Sequence, residues 1–450
     1  MAFISINPFT DKENARFSFM SNASLEDRLA DAWKGFKVWR KLPLKERCRK
    51  IHRLANELEK NREAYAISIT TEMGKPIVEA RAEIDKCVWL ARYYADMAPK
   101  FLESKHIHTN SVASYVQYDP LGVVFGIMPW NYPFWQVLRF AVPTLLAGNA
   151  VLVKHAPSVP MCSLAIEEAF ENSGFPSHAF SQLFISEEQA KTVIESSQVR
   201  AVSLTGSEAA GRAVAALAGG ALKKCVLELG GSNALFLLPD GDVDLAVKLA
   251  LLGRFGNAGQ SCIAAKRLII PEAQKDVFVK KLIKGVQGLS YGNPLNDKTT
   301  IGPLARKDLA KALDNQMQSS IDMGATLLLG GKRKGHFFEP TIIADVVPGM
   351  PAFDEETFGP LACISTYSDV KDGIKMAKQT KYGLGISLVT KDIPKARQMA
   401  KKFEDGAVFI NQWVKSDPRL PFGGQKSSGY GRELAEEGIK EFVNVKTIRV

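Results

Sequence analysis

Hydrophobic positions along the chain follow two different periods. Between residues 23 and 105 they recur every three or four residues, in a sequence rich in Ala, Leu, Glu, Lys and Arg, which predicts helices. From about residue 120, short apolar runs alternate with amphipathic stretches, and one such stretch opens with Ser186 and Gln189 at capping-box spacing. The apolar runs predict strands at 122–127, 150–154, 182–185, 201–204, 225–227, 233–238, 267–270, 386–390 and 407–410.

Strands that alternate with helices predict parallel sheets, and therefore a doubly wound, Rossmann-like α/β domain. A second alternating region, at about 265–412, predicts a second α/β domain. A chain of 450 residues, 46% of them hydrophobic, can bury more than one core.

Composition narrows the function classes. The formal net charge is +10, but basic residues are interleaved with acidic ones, which argues against nucleic acid as a partner. The sequence has neither an apolar run long enough to span a bilayer nor a secretion signal, so we expect a cytoplasmic protein without a membrane partner. Six scattered cysteines and six scattered histidines show no ligand spacing, so we expect no metal site.

Residues that suit ligand binding follow four of the predicted strands. They are Asn131, Lys154, Gly206 and Glu228, and ligands of parallel sheets bind beyond these strand ends. A glycine between a strand and a helix suits a pyrophosphate group, although it also suits a simple turn. The lysine, the glutamate and the asparagine have structural alternatives too: a strand-end charge, an ion pair and a turn amide.

Cys262 lies in the glycine-rich run GNAGQSC, where a thiol would be accessible. A thiol nucleophile, an amide donor for an oxyanion, a carboxylate and a phosphate-binding turn together suit oxidation of a carbonyl through a covalent intermediate. The cysteine and Glu228 alone would also suit a redox-free thiol acyltransferase or amidase.

Six motifs, in this order, resemble the NAD(P)-dependent aldehyde dehydrogenase superfamily from about residue 25 to the C-terminus: MPWNYP, LTGS, ELGGSNALF, GNAGQSC, EETFGP and PFGGQKSSGYGRE. The resemblance implies that Cys262 attacks the aldehyde, and that Asn131 and the Cys262 N–H hold the oxyanion. It further implies that Glu228 activates water. Members that transfer the acyl group to coenzyme A typically lack this glutamate, so we expect hydrolysis.

The resemblance also implies a nicotinamide cofactor site. Its members would be Lys154 and Glu356 at ribose, Gly206 and Ser207 at pyrophosphate, Phe358 near nicotinamide, and Pro129 and Trp130 along the cleft. Pro157 occupies the position of a glutamate found in many NAD-preferring members. Without that carboxylate the site admits either NAD or NADP, with Lys154 and Ser158 available to a 2′-phosphate.

Arg139, on a predicted helix at 134–146, is the one clue to the substrate. Succinate-semialdehyde dehydrogenases resemble this chain in carrying an arginine there, where it would bind a carboxylate. A second arginine of some such enzymes is Gly256 here, and Arg254 stands at a different offset. We therefore expect succinate semialdehyde as substrate, with a broad aliphatic aldehyde dehydrogenase as the alternative.

The resemblance implies three structural parts. They are a cofactor-binding domain (1–105 and 128–228), a catalytic domain (229–412) and a small β oligomerisation arm (106–127 and 436–450), with 413–435 returning to the active-site cleft. The strand-like segments 106–118 and 441–448 fit the arm, and exposed strands favour pairing with another chain. We expect a homodimer or homotetramer.

Overall fold

The computed structural model describes residues 2–450. Its helices are α1 Asn22–Trp39, α2 Leu44–Lys60, α3 Arg62–Met73, α4 Ile77–Phe101, α5 Pro133–Leu146, α6 Pro160–Asn172, α7 Glu187–Glu195, α8 Glu208–Gly220, α9 Val243–Phe255, α10 Lys275–Gln287, α11 Lys307–Asp322, α12 Pro351–Asp354, α13 Val370–Lys378, α14 Ile393–Ala400 and α15 Ala435–Lys440. Short 3₁₀ turns span Gly256–Gly259, Glu272–Gln274 and Lys426–Ser428.

The strands are β1 Ala2–Asn7, β2 Lys12–Ser18, β3 Lys105–His106, β4 Ser114–Pro120, β5 Val123–Met128, β6 Ala150–His155, β7 Phe180–Gln182, β8 Val199–Thr205, β9 Lys224–Glu228, β10 Asn233–Leu237, β11 Ala265–Pro271, β12 Thr326–Leu329, β13 Arg333–Lys334, β14 Phe337–Phe338, β15 Thr341–Ala344, β16 Leu361–Tyr367, β17 Ile386–Val389, β18 Val408–Ile410, β19 Gly429–Tyr430 and β20 Val443–Arg449.

A six-stranded sheet has the order β19-β9-β8-β5-β6-β7, and every strand except β19 runs parallel to its neighbours. Side chains of its strands alternate between two hydrophobic cores: Val124 joins the core with α4 and α5, whereas Val123 and Phe125 join the core with α1. Helices therefore cover both faces, which explains why the strands are continuous apolar runs. The predicted doubly wound α/β fold is confirmed.

A seven-stranded sheet has the order β12-β15-β16-β11-β10-β17-β18, with only β12 antiparallel. Along β10, Leu235 and Leu237 face one core and Ala234 and Phe236 face the other. This second α/β unit agrees with the alternation predicted from residue 265 onward.

The third sheet is antiparallel, with the order β20-β4-β3. Two predicted boundaries need correction here. Residues 123–127 were assigned to the arm, but β5 pairs with β6 and β8 in the middle of the six-stranded sheet. The residues of β5 are buried on both faces, as expected of a central strand, whereas most residues of β4 are only partly buried. The strand-like segment predicted at 441–448 corresponds to β20, Val443–Arg449. The run at 182–185 is also displaced, because the strand is Phe180–Gln182.

The segment after β18 returns to the six-stranded sheet, where β19 pairs antiparallel with β9. Gly429 stands opposite Glu228 with φ +108°, and a Cβ at this glycine would lie 2.0 Å from the Leu227 carbonyl oxygen. Only glycine permits so close an approach. The return segment is thereby held beside the end of β9.

The start of α5 depends on a buried ion pair. The Glu83 carboxylate of α4 accepts hydrogen bonds from the backbone N–H groups of Phe134 (2.9 Å) and Trp135 (3.0 Å), which lie in the first turn of α5. The Lys75 ammonium pairs with the same carboxylate, and both side chains are buried. This ammonium also lies 3.8 Å from the centroid of the Tyr132 ring. Glu83 therefore caps the helix that follows the Asn131 loop.

We predict that Lys75→Met destabilises the protein, because it leaves the Glu83 carboxylate buried without its cation. The expected loss is about 3–5 kcal/mol in the free energy of unfolding. It should appear as a lower urea midpoint by circular dichroism. Lys60→Met, an exposed lysine at the end of α2, is the matched control. Equal midpoints for the two variants would contradict this role of Lys75.

Candidate active site

The residues singled out in the sequence lie at the carboxyl ends of the parallel strands of the six-stranded sheet. Ile127 of β5 is in register with Lys154 of β6 and with Leu204 of β8, and Thr205 is in register with Glu228 of β9. Because the strands are parallel, the loops that contain Asn131 and Gly206 leave from this same edge. The structure thus brings these four positions to one side of the sheet.

The loop before Cys262 has an unusual backbone. Asn257 and Ala258 have φ values of 54° and 51°, in the left-handed region. The Glu79 carboxylate accepts the Asn257 N–H at 3.1 and 2.9 Å, and the Asn257 side-chain amide donates to the carbonyl oxygens of Asn131 and Gln260, both at 3.0 Å. These bonds stabilise the strained turn, and they tie the cysteine loop to the asparagine loop.

The Asn131 side chain faces the cysteine loop. Its Nδ2 donates to the Gln260 carbonyl oxygen at 3.1 Å, and its buried Oδ1 has no hydrogen-bond partner. One N–H of the amide therefore points at the loop and leaves the second N–H for another acceptor.

The Cys262 thiol is half-buried, and it lines a cavity of about 350 Å³. Burial raises the pKa of this thiol to about 11, against the opposing effect of the positive charges of Lys266 and Arg139. The Lys266 ammonium donates to the Cys262 carbonyl oxygen at 2.8 Å. The resting group is therefore a thiol, which needs a proton acceptor before it can attack.

Glu228 ends β9 with its side chain buried and neither carboxylate oxygen hydrogen-bonded. Burial raises the pKa of Glu228 well above its usual range, and the nearby Glu433 carboxylate raises it further. The positive charges of Arg139 and Arg432 act in the opposite direction. Glu228 also contributes to the raised pKa of Cys262, so the two groups interact electrostatically.

Arg139 is buried on α5 and lines the same cavity as Cys262. Its guanidinium pairs with the buried Glu433 carboxylate, and it lies 4.8 Å from the centroid of the Phe422 ring. Arg254, the other arginine considered, is not among the residues that line this cavity. It bridges two loops by donating to the carbonyl oxygens of Gly259 (3.2 Å) and Thr357 (3.3 Å).

The residues predicted for the cofactor form two groups. Near Cys262, the Trp130 and Phe358 rings make an edge-on contact at 5.8 Å, and Pro129 precedes this tryptophan. The Glu356 carboxylate accepts the Gly231 N–H at 3.1 Å and pairs with Lys266, also at 3.1 Å.

The second group lies at β6 and β8. The buried Lys154 ammonium has no carboxylate within 4.0 Å among residues 2–450, and Ser158 is half-buried in the loop that follows. Gly206 leaves open space, because a Cβ there would meet nothing nearer than Leu204 at 3.5 Å. Ser207 caps α8 by accepting the Ala210 N–H at 3.3 Å.

Several residues of the site escaped sequence analysis. Lys86, Trp135, Trp413 and Phe422 line the cavity, and Glu433 neutralises Arg139. Of these, Phe422 and Glu433 lie within the quoted motif PFGGQKSSGYGRE and therefore had a local signal. Lys86 has the appearance of an ordinary surface lysine on an amphipathic helix.

Comparison with known proteins decides the family. The sequence model of the family described as "Aldehyde dehydrogenase family" matches residues 2–448 of this chain. The chain belongs to the aldehyde dehydrogenase family. It is accordingly an NAD(P)-dependent oxidoreductase that acts on small-molecule aldehydes, as the motifs predicted.

Named relatives cover the whole chain. A probable succinate-semialdehyde dehydrogenase [NADP(+)] of Synechocystis sp. is 42% identical, over 100% of this chain and 99% of the relative. A succinate semialdehyde dehydrogenase [NAD(P)+] of Escherichia coli is 41% identical, over 99% and 97%. The solved succinic semialdehyde dehydrogenase of Streptococcus pyogenes, in complex with NADP+, has a TM-score of 0.97 and 38% identity, with 100% of both chains covered.

Residues 2–450 contain neither a candidate metal centre nor a candidate membrane-spanning helix. No cluster of three His, Cys, Asp or Glu side chains has the arrangement of a metal site. No helix in that range combines the length and the apolar character that crossing a membrane requires.

Proposed function

We propose that this aldehyde dehydrogenase oxidises succinate semialdehyde to succinate, with NADP as the preferred acceptor and release of the product by water. The observation that carries this proposal is a single cavity lined by a thiol and by a buried arginine, Cys262 and Arg139. A ligand with an aldehyde at one end and a carboxylate at the other matches these two groups. The names of the relatives support the same substrate and cofactor.

In the first step, the Cys262 thiol passes its proton to solvent water, and its sulfur forms a bond to the aldehyde carbon, so that the carbonyl oxygen becomes an oxyanion. The free N–H of Asn131 and the backbone N–H of Cys262 donate to this oxyanion. Removal of one such donor typically costs about 3–4 kcal/mol of barrier. Lys266 supports the geometry, since it anchors the carbonyl of the cysteine.

A nicotinamide held by the cofactor residues would supply the hydride acceptor, and loss of hydride from the tetrahedral carbon would leave a thioester on Cys262. Glu228 then takes a proton from water while the water oxygen attacks the thioester carbon. The C–S bond breaks, the proton on Glu228 passes to the sulfur, and the acid is released as product. A carboxyl group whose pKa is raised is a stronger proton acceptor once ionised, which suits this role.

The strand-end residues fit an anionic dinucleotide. Lys154 offers a buried ammonium without an acidic partner, and Pro157 contributes no carboxylate that would repel a 2′-phosphate. We infer that Lys154 and Ser158 contact this phosphate, and that Gly206 and Ser207 lie at the pyrophosphate. Pro129, Trp130, Glu356 and Phe358 would then enclose the nicotinamide ribose and ring.

We predict that Glu228→Gln separates the two half-reactions. The amide cannot take the proton of water, so steady-state turnover should fall about 100- to 10,000-fold. The first turnover needs no water, so a pre-steady-state burst of reduced cofactor at 340 nm should remain. Glu188→Gln, on the exposed face of α7, is the matched control. Unchanged steady-state turnover would remove Glu228 from the mechanism.

We predict that a panel of aldehydes, run with both cofactors, separates succinate semialdehyde from simple aliphatic aldehydes. One charge-assisted hydrogen bond contributes about 1.5–3 kcal/mol, so kcat/KM for succinate semialdehyde should exceed that for butanal about 10- to 150-fold. We also expect kcat/KM to be higher for NADP than for NAD.

The variant Arg139→Ala extends the same experiment and should raise KM for succinate semialdehyde. Arg49→Ala, an exposed arginine of α2, is its control. If Arg139→Ala left this KM unchanged and butanal were used equally well, the alternative of a broad aliphatic aldehyde dehydrogenase would stand.

We further propose a cytoplasmic homodimer or homotetramer, in which β4 and β20 belong to an oligomerisation arm. In this arrangement the six-stranded sheet belongs to the cofactor-binding domain and the seven-stranded sheet to the catalytic domain.

The exposed edge of β20 supports the oligomer. β20 pairs on one side only, and its Val445 side chain is 61% exposed. Such an edge favours pairing with a second chain. Light scattering should give two or four times the chain mass, and a monomer would contradict the proposal.

A further inference from the structure

Lys86 is a cavity-facing cation that the reaction described so far does not use. It lies on α4, and its Nζ donates to Ser416 Oγ at 2.7 Å. Its ammonium also lies 4.1 Å from the centroid of the Trp135 ring. No carboxylate within residues 2–450 comes within 4.0 Å of this ammonium. A largely enclosed charge without a counter-ion is costly, and a bound anion would relieve that cost.

Arg139 differs from Lys86 in its charge balance. Its guanidinium pairs with Glu433, whose carboxylate is almost fully buried. The pair contributes little net charge to the cavity, although the arginine can still orient a ligand through its remaining N–H groups. Lys86 is therefore the half-buried cation of this cavity that has no carboxylate partner, since Lys415, which is also unpaired within residues 2–450, has an exposed side chain.

We propose that Lys86 is the specificity-determining cation of the cavity, and that it binds the remote carboxylate of the substrate while Ser416 holds its ammonium in place. This inference rests on the proposed function, because it assumes a substrate with an aldehyde at one end and a carboxylate at the other. In this proposal Lys86 attracts the negative charge of the substrate carboxylate, and Arg139 orients the substrate.

The surroundings of Lys86 make its charge sensitive to pH. Burial, together with the positive charge of Arg139, lowers the pKa of Lys86 to about 8. Cys87 and Glu83 on α4 and Asp417 in the return segment act in the opposite direction, and Glu79 of α4 and Lys415 are the other acidic and basic residues that line the cavity. A carboxylate bound beside the ammonium would stabilise its protonated form. The cation is thus present below about pH 8, and it is lost as the pH rises above that value in the free enzyme.

The test compares kcat/KM for succinate semialdehyde with kcat/KM for butanal in Lys86→Met. Methionine keeps an unbranched apolar side chain and removes the charge. We expect the ratio of the two kcat/KM values to fall about 10- to 100-fold, mainly through KM for succinate semialdehyde. Lys100→Met, an exposed lysine on the same helix, should leave the ratio unchanged.

A pH series on the unaltered enzyme provides a second readout that does not depend on the folding of a variant. The same ratio should be constant up to about pH 7 and should fall between pH 8 and 10 as Lys86 loses its proton. The thiol titrates equally for both substrates, so its effect cancels in the ratio. In Lys86→Arg the ratio should stay constant to pH 10, since a guanidinium keeps its charge.

The outcomes separate the two proposals. If the unaltered enzyme does not prefer succinate semialdehyde to butanal, the proposed substrate is wrong. If it has this preference, and the ratio is unchanged in Lys86→Met or flat between pH 7 and 10, the role of Lys86 is overturned.

Discussion

Two carboxylates of helix α4 hold the active site together. Glu83 accepts the first free N–H groups of α5, and Glu79 accepts the N–H of the left-handed Asn257. The hydrogen bonds of Glu83 anchor the loop that contains Asn131, and those of Glu79 anchor the loop that contains Cys262. Because both acceptors lie one turn apart on the same helix, they fix two loops from different sheets relative to each other. The amide and the thiol depend on this support for their positions.

Burial sets the chemistry of the site as much as the choice of residues does. Glu228 and Cys262 both have pKa values raised by the removal of water, and the Cys262 thiol, with a pKa of about 11, is protonated in the free enzyme at neutral pH. Buried positive charges from Lys266 and Arg139 oppose that effect at the thiol. Glu433 offsets Arg139 in turn, so the cavity combines several strong charges with a small net charge. Lys86 is the exception, because its positive charge has no carboxylate partner within residues 2–450.

Sequence analysis was most successful where a pattern has a local cause. Strands buried on both faces appear as apolar runs, so five strands of the six-stranded sheet and four of the seven-stranded sheet were predicted, whereas β12, β15, β16 and β19 were missed. The boundary error at β5 arose because its position in the chain, directly after β4, suggested one continuous arm. Pairing with β6 and β8 shows instead that it is a central strand. Adjacency in sequence does not determine which sheet a strand joins.

The sequence by itself determined the family, the parallel α/β architecture and the identities of the thiol, amide and carboxylate, because each lies in a short motif with a distinctive composition. Only the tertiary structure decided the partners of these groups. The pairing of Arg139 with Glu433 joins residues almost 300 positions apart, and the contact of Lys86 with Ser416 spans 330 positions. A helix pattern records that a lysine is polar, but it does not record what the lysine faces. That property depends on how distant segments pack, which is why the charge balance of the cavity could not be predicted from the sequence.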